Sequence, residues 1–188
     1  MDQLSHIRTL FSIIVGLSLT HLLKGFAKII EAPGRNKIYK PHLLWAFFLL
    51  MMLVDFWWWE FRLMKVESWN FALYSYIILY VTNYYITCVL IFPEDLSGYD
   101  GYRGYYYSRK KWIFGLMALL FVLDIGDTLI KGQAYYHSLG TEYPIRIAAH
   151  VVLCLIAAFT KKEWYHKLLV IVLILYNLSW IYRQYFVQ

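Results

Sequence analysis

Histidine and aspartate stand inside otherwise apolar stretches at four places in this chain: His21, Asp55, Asp124 and His150. A carboxyl whose ionisation is opposed by burial and an imidazole that titrates near neutrality can hand a proton from one to the other. Asp124 and Asp127 are spaced i, i+3 and Arg146 and His150 i, i+4, so each pair falls on one face of a helix. Glu60, Asp127 and Arg146 form a second charged tier toward one end of the same stretches, and Lys24 lies toward the other. The set reads first as a proton or ion pathway, centred on the two aspartates and two histidines, with the outer tier shaping one mouth.

The same four central residues are acceptable ligands for zinc, iron or manganese, and the two histidines can serve as axial ligands of a haem. No two of them share a local ligand motif such as His-Glu-x-x-His, so a metal or haem site in a redox protein or enzyme depends wholly on packing. A third reading makes these groups interhelical hydrogen-bonding partners in a non-catalytic accessory or sensor subunit. The chain has no potassium-filter loop, no Walker lysine loop and no nucleophile elbow, and no catalytic set is assigned.

The elements that must position these residues follow from composition. Hydrophobic residues make up 61% and charged residues 16%, against roughly 45–50% and about 25% in soluble domains. Six apolar windows, at 8–30, 42–64, 69–92, 112–130, 143–159 and 164–186, approach the length of about 20 residues that a bilayer requires. The expected fold is an all-α integral membrane bundle of about six transmembrane helices. It forms a single domain over 1–188, with no room for a separate soluble unit. The first window carries His21 and Lys24 and lacks a small-residue cleavage site, so it is read as a retained helix, not a signal peptide. Cys88 and Cys154 fall in apolar windows and behave as small hydrophobes, with no disulfide expected.

The connections are read at 32–37, 65–68, 93–111, 131–133 and 161–163. The glycines of 93–111 argue against helix until its final turn, and Tyr105, Tyr106 and Tyr107 are expected at the membrane interface as anchors, a gate or a lipid headgroup contact. Trp45, Trp69, Trp112 and Trp164 each stand near a window start and are expected at headgroup level. Trp57, Trp58 and Trp59 point three ways at 100° per residue, so only part of the triplet can face a shared interior.

The net charge of +6 and pI near 9.2 come from basic clusters beside apolar runs, a membrane-orientation pattern and not a nucleic-acid face. Twelve of the 18 Lys and Arg flank the first, third and fifth connections, while Arg8, Arg62, Lys65, Lys131, Arg146 and Arg183 fall on the other side. The positive-inside rule then puts both termini outside the cytoplasm. The lipid bilayer is the implied partner and a homo-oligomer is expected.

With each window's midpoint taken as the bilayer centre, every helix contributes one polar residue to a common layer: His21, Asp55, Asn83, Asp124, His150 and Asn177. Asp, Lys or Arg at a helix centre costs about 2.5–3.5 kcal/mol on insertion scales, so such a layer needs a purpose.

The run Gly16 to Gly25, His42-Leu43-Leu44-Trp45, Phe56-Trp57-Trp58, Phe92-Pro93 and the stretch 109–127 resemble a group of small uncharacterised bacterial polytopic inner-membrane proteins. The resemblance covers most of the chain. It implies a bacterial cytoplasmic-membrane location and transfers no activity or site residue.

Overall fold

The computed structural model describes residues 3–32, 34, 37–66 and 68–186, and these are all-helical with turns and short connections. The elements are α1 (Gln3–Glu31), α2 (Lys40–Trp59) continued by a 3-10 turn (Glu60–Lys65), α3 (Phe71–Ile91), α4 (Gly101–Ile130), a short α5 (Gln133–Ser138), α6 (Glu142–Phe159) and α7 (Glu163–Phe186). Six stretches are long and apolar enough to cross a membrane: Ser5–Glu31, Lys40–Lys65, Phe71–Ile91, Gly101–Ile130, Glu142–Phe159 and Glu163–Phe186. Ile13, Leu17, Val122, Val152 and Leu175 point outward from them, which suits a lipid solvent. Of the residues read as connections, Pro33, Arg35, Asn36 and Glu67 lie outside the described residues.

α4 is the spine of the bundle, with α6 along one side and α3 along another; α1 packs on α3 and α2, and α2 on α7. Phe11 of α1 stacks on Trp57 at 5.5 Å, and Tyr185 of α7 stacks on Trp59 at 5.2 Å. The start of α1 and the end of α7 therefore share one end of the bundle with the end of α2, the terminal end.

α4 begins at Gly101, eleven residues before the start expected at Trp112. Two glycines, Gly101 and Gly104, at up to about 1 kcal/mol each in helix propensity are outweighed by packing. Tyr102, Tyr105, Tyr106, Ile113, Phe114 and Met117 recur at helical spacing and are all buried. The tyrosines expected as interfacial anchors thus include two, Tyr105 and Tyr106, that belong to the core. The helix start is held by the first connection: the Tyr102 N–H donates to the Lys37 carbonyl at 3.1 Å, and the Lys37 ammonium meets Asp100 at 2.7 Å. That hydrogen bond raises the Lys37 pKa and lowers that of Asp100. Gly101 has φ +65, and a Cβ there would lie 2.8 Å from the Lys37 carbonyl oxygen, so only glycine fits this strap.

Trp45, expected at headgroup level, is instead fully buried, edge-on to Phe114 at 4.8 Å. α2 starts at Lys40, which carries Trp45 more than one turn inside; Trp112 is exposed but stands well inside α4 and not near its start, and Trp164, exposed, stands at the start of α7.

Gly25 marks the closest approach of α1 to the end of α3, where a Cβ would overlap the ring of buried Phe92. Gly16, on the same helix, has nothing within 4 Å of such a Cβ. Gly25→Ala should lower the thermal unfolding temperature in micelles, with about 1–3 kcal/mol of overpacking set against up to about 1 kcal/mol of propensity gain. Gly16→Ala should leave it unchanged or raise it. Equal effects at the two positions would mean that Phe92 moves aside freely.

Candidate functional site

Toward the terminal end, side chains of α2, α3, α4, α5, α6 and α7 enclose a cavity of about 60 Å³. At roughly 10–15 Å³ for one water, it has room for about four. Its polar lining is Asp55, Tyr80, Tyr84, Asp124, Asp127, Thr128, Lys131, Tyr135, Tyr143, Arg146 and Asn177, and Tyr135 and Leu139 close it toward the end of the bundle.

Lys131, the residue that follows α4, folds back into this region. Its ammonium lies 2.7 Å from Glu60 Oε1 and 2.5 Å from Asp127 Oδ2, and all three side chains are only 2–3% exposed. Burial opposes the Lys131 charge, but Asp127 and Glu60 more than offset it and raise its pKa above the ordinary lysine value. Glu60 Oε2 and Asp127 Oδ1 are buried and have no hydrogen-bond partner.

Asp124 sits one turn deeper on α4. Tyr143 donates to its Oδ2 at 2.8 Å, Tyr80 donates to Oδ1 at 3.3 Å, and the Arg146 guanidinium lies 4.0 Å away. Arg146 also stacks over Trp180 at 4.5 Å, which fixes the plane of its fork. Asp55 accepts from the Tyr185 hydroxyl at 2.8 Å. Two buried donor atoms, Arg146 Nε and Asn177 Nδ2, have no protein partner and belong to cavity-lining residues. Outside the spans, burial pushes the Tyr135 hydroxyl up to about 12, so it remains a neutral donor over the mouth.

The structure brings together six of the expected site residues: Asp55, Asp124, Asp127, Arg146 and Asn177 line the cavity, and Glu60 joins through Lys131. The outer tier differs from expectation in its pairing, because Glu60 and Asp127 share an ammonium while the guanidinium of Arg146 faces Asp124. His150 is adjacent, its ring tilted against Phe121 with centroids 4.5 Å apart, and its Nδ1–H is donated to the Arg146 carbonyl at 2.7 Å.

The single six-residue layer does not form. His21 donates to the Phe92 carbonyl at 2.8 Å, at the end of α3 remote from the terminal end, and Lys24 is exposed in a surface cleft beside it. Window midpoints misplace His21 because α1, at 29 residues, is longer than α3, at 21, and is offset along it. Asn83 donates to the Leu116 carbonyl at 3.1 Å and so ties α3 to α4. His21 and His150 are thus separated, and the suggested metal set with Asp55 and Asp124, or a haem between the histidines, is not assembled. Among the described residues no group of three His, Cys, Asp or Glu is arranged to hold a metal ion.

Beyond the cavity, away from the terminal end, Phe48, Leu49, Phe114, Met117, Cys154, Val170 and Leu173 are buried and apolar. Past them lies a second polar set. Lys110 donates to the Ala158 and Thr160 carbonyls at 2.7 and 2.9 Å, and His166 bridges the Tyr106 hydroxyl at 2.8 Å to the Thr160 carbonyl at 2.9 Å. The bundle therefore has two polar ends with largely apolar packing between them.

The sequence reading missed Lys131, taken as a loop cation, and the tyrosines Tyr80, Tyr143 and Tyr185. The i, i+4 spacing of Asp127 and Lys131 is the signal that would have found the first. The fold defines a class, the polytopic helical membrane protein. Beyond that class, comparison with protein families, curated proteins and solved structures finds no match.

Lys131→Met should destabilise the protein by about 3–5 kcal/mol, because it leaves two buried carboxyls without their cation. The loss should shrink as pH falls and the carboxyls take up protons, and the added change Glu60→Gln should recover part of it. In the unmodified protein a raised lysine pKa contributes fully below the reference value of 10.5 and is lost only as pH rises through the folded value. Unfolding midpoints in micelles across pH test this; a Lys131→Met midpoint equal to the unmodified one at neutral pH would contradict it.

Proposed function

We propose that the protein exchanges protons with the space at its terminal end and carries them across the membrane by a gated, carrier-like movement. One observation carries the reading. Asp55, Glu60, Asp124 and Asp127 lie within one region, Glu60 and Asp127 buried and Asp55 and Asp124 half-buried, whereas among the described residues only Lys131 and Arg146 approach them as ion-pairing cations. Arg62 is nearby, but its guanidinium stacks on Trp59 and Tyr135 at 4.8 and 4.4 Å. Four ionised carboxylates against two paired cations would be strongly unfavourable in a low-dielectric interior, and bound protons relieve the surplus. The unpartnered carboxyl oxygens of Glu60 and Asp127 offer a place for one such proton.

The loading site faces the terminal end through Tyr135 and Leu139, with Asp124 as its innermost carboxyl and Tyr80 and Tyr143 as neutral hydroxyl partners. The close apolar packing between the two polar ends leaves no continuous polar path, so transfer requires the bundle to rearrange. With the basic residues weighted toward the opposite connections, the terminal end is assigned to the non-cytoplasmic side, and the cytoplasmic membrane of a bacterium is the setting this reading uses.

Proteoliposomes with a trapped pH dye and an imposed potential test it. The unmodified protein should admit protons faster than empty vesicles, and Asp124→Asn should cut that rate at least tenfold while the protein still assembles. His21→Ala should keep most of the rate, because that ring lies at the other end of α3. A rate no greater than that of empty vesicles, or one indifferent to Asp124→Asn, would dismiss proton transfer.

A further inference from the structure

A second, larger depression lies on the lipid-facing side between α2 and α7. It holds about 670 Å³ and is walled by Phe47, Leu50, Met51, Val54, Trp58, Ile181, Tyr185 and Phe186. A volume of this order suits a compact organic ligand. Asp55 lies at its floor, and Asp55 alone lines both this groove and the polar cavity. Apart from the Tyr185 hydroxyl, bonded to Asp55, the walls are apolar or aromatic. Trp58, Val54, Phe47 and Phe186 are exposed, so the groove opens to lipid.

We propose that this groove binds lipophilic monovalent organic cations, seated on Asp55 and exchanged for its proton. Charge complementarity selects the occupant. Among the described residues Asp55 has no ion pair within 4 Å, since Arg146 is directed at Asp124 and Arg183 is held by Glu142 at 2.6 Å. An anion or a neutral acyl chain gains nothing from a carboxylate at the floor of an apolar groove. A small hydrated cation loses its water against aromatic walls without replacement. A cation whose charge is spread over an apolar body fills the space, faces the rings of Trp58, Phe47 and Tyr185, and neutralises the carboxylate.

The exchange balances at the carboxyl. Protonated Asp55 releases one proton toward the cavity as one cation arrives, and the resulting carboxylate keeps the cation as its counter-ion. The charged and titratable groups that share the cavity with Asp55 are Tyr80 and Tyr84 of α3, Asp124 and Asp127 of α4, Lys131 just after it, Tyr135 of α5, and Tyr143 and Arg146 of α6, while Tyr185 of α7 is bonded to it. The proposal rests on the proton-exchange reading and names the substrate class of the same region.

Equilibrium binding of tetraphenylphosphonium to the purified full chain in nanodiscs tests it, with Trp58 fluorescence as a second readout and neutral tetraphenylsilane and anionic tetraphenylborate as matched shapes. The phosphonium should bind saturably at one site, at least tenfold tighter than either control, and more weakly as pH falls and protons compete for Asp55. An unbuffered sample should release about one proton per cation bound. Asp55→Asn should weaken binding at least tenfold, Asp55→Glu should restore part of it, and Val54→Trp, which fills the groove without altering the carboxyl, should also weaken binding. No saturable binding, equal binding of the neutral shape, indifference to Asp55→Asn or absence of proton release each overturns the assignment. Asp124-dependent proton flux in cation-free vesicles is read separately, so the substrate class can fail while proton transfer stands.

Discussion

The ammonium of Lys131 between Glu60 and Asp127 is the interaction on which the terminal half of this bundle depends. It joins the 3-10 turn that ends α2 to the last turn of α4, and every group in it is withdrawn from solvent. A lysine that would otherwise reach for headgroups or water is retained because two carboxyls wait for it, and those carboxyls are tolerated at this depth because the lysine is there. One cation does not satisfy two acids, and the remaining demand spreads inward through Asp124, Arg146 and Asp55. The cavity is a consequence of that imbalance: buried donors and acceptors that cannot all meet one another keep the helices from closing to an apolar seam.

The opposite half solves the same problem without carboxyls. Lys110 is directed at two backbone carbonyls at the end of α6, and His166 joins a tyrosine hydroxyl to one of the same carbonyls. His21 and Asn83 likewise serve backbone carbonyls at the end of α3 and within α4. These contacts satisfy orphan carbonyls at helix ends or pin one helix to its neighbour, which is the bonding role weighed for the whole polar set at the outset. The distinction between the two halves lies in partners: carbonyls, which cannot titrate, at one end, and carboxyls, which can, at the other.

The six spans and the all-helical class were legible in the sequence, because length and apolarity are dictated by the bilayer alone. The contents of the site were partly legible: Asp55, Asp124, Asp127, Glu60 and Arg146 stand out as charges in apolar runs, and they meet. Their partners were hidden for two physical reasons. Helices of unequal length do not align at their midpoints, which placed His21 in a layer it does not share. Loop assignment by glycine and charge also undervalues tertiary packing, which hid the first part of α4 and made Lys131 look like a surface cation. Trp45 shows the same limit, since an aromatic near a helix start belongs to the interface or to the core according to where the helix begins, and that is set by the strap from Lys37 to Asp100 and Tyr102.

Asp55 is where the two solvents of this protein come closest. On one side it faces a polar cavity shared with Asp124 and Arg146, and on the other a lipid-facing groove with no other ionisable side chain than the tyrosine bonded to it. Any change in its charge is felt on both sides, because neutralising it relieves repulsion from Asp124 and at the same time removes the only carboxylate the groove presents. The hydrogen bond from Tyr185 couples that change to α7, and Trp59, stacked on the same tyrosine, couples it to the end of α2 and so to Glu60 and Lys131. On the proposed reading, occupancy of the groove and protonation of the cavity are linked through one side chain and two aromatic rings, and linkage of this kind works equally in both directions.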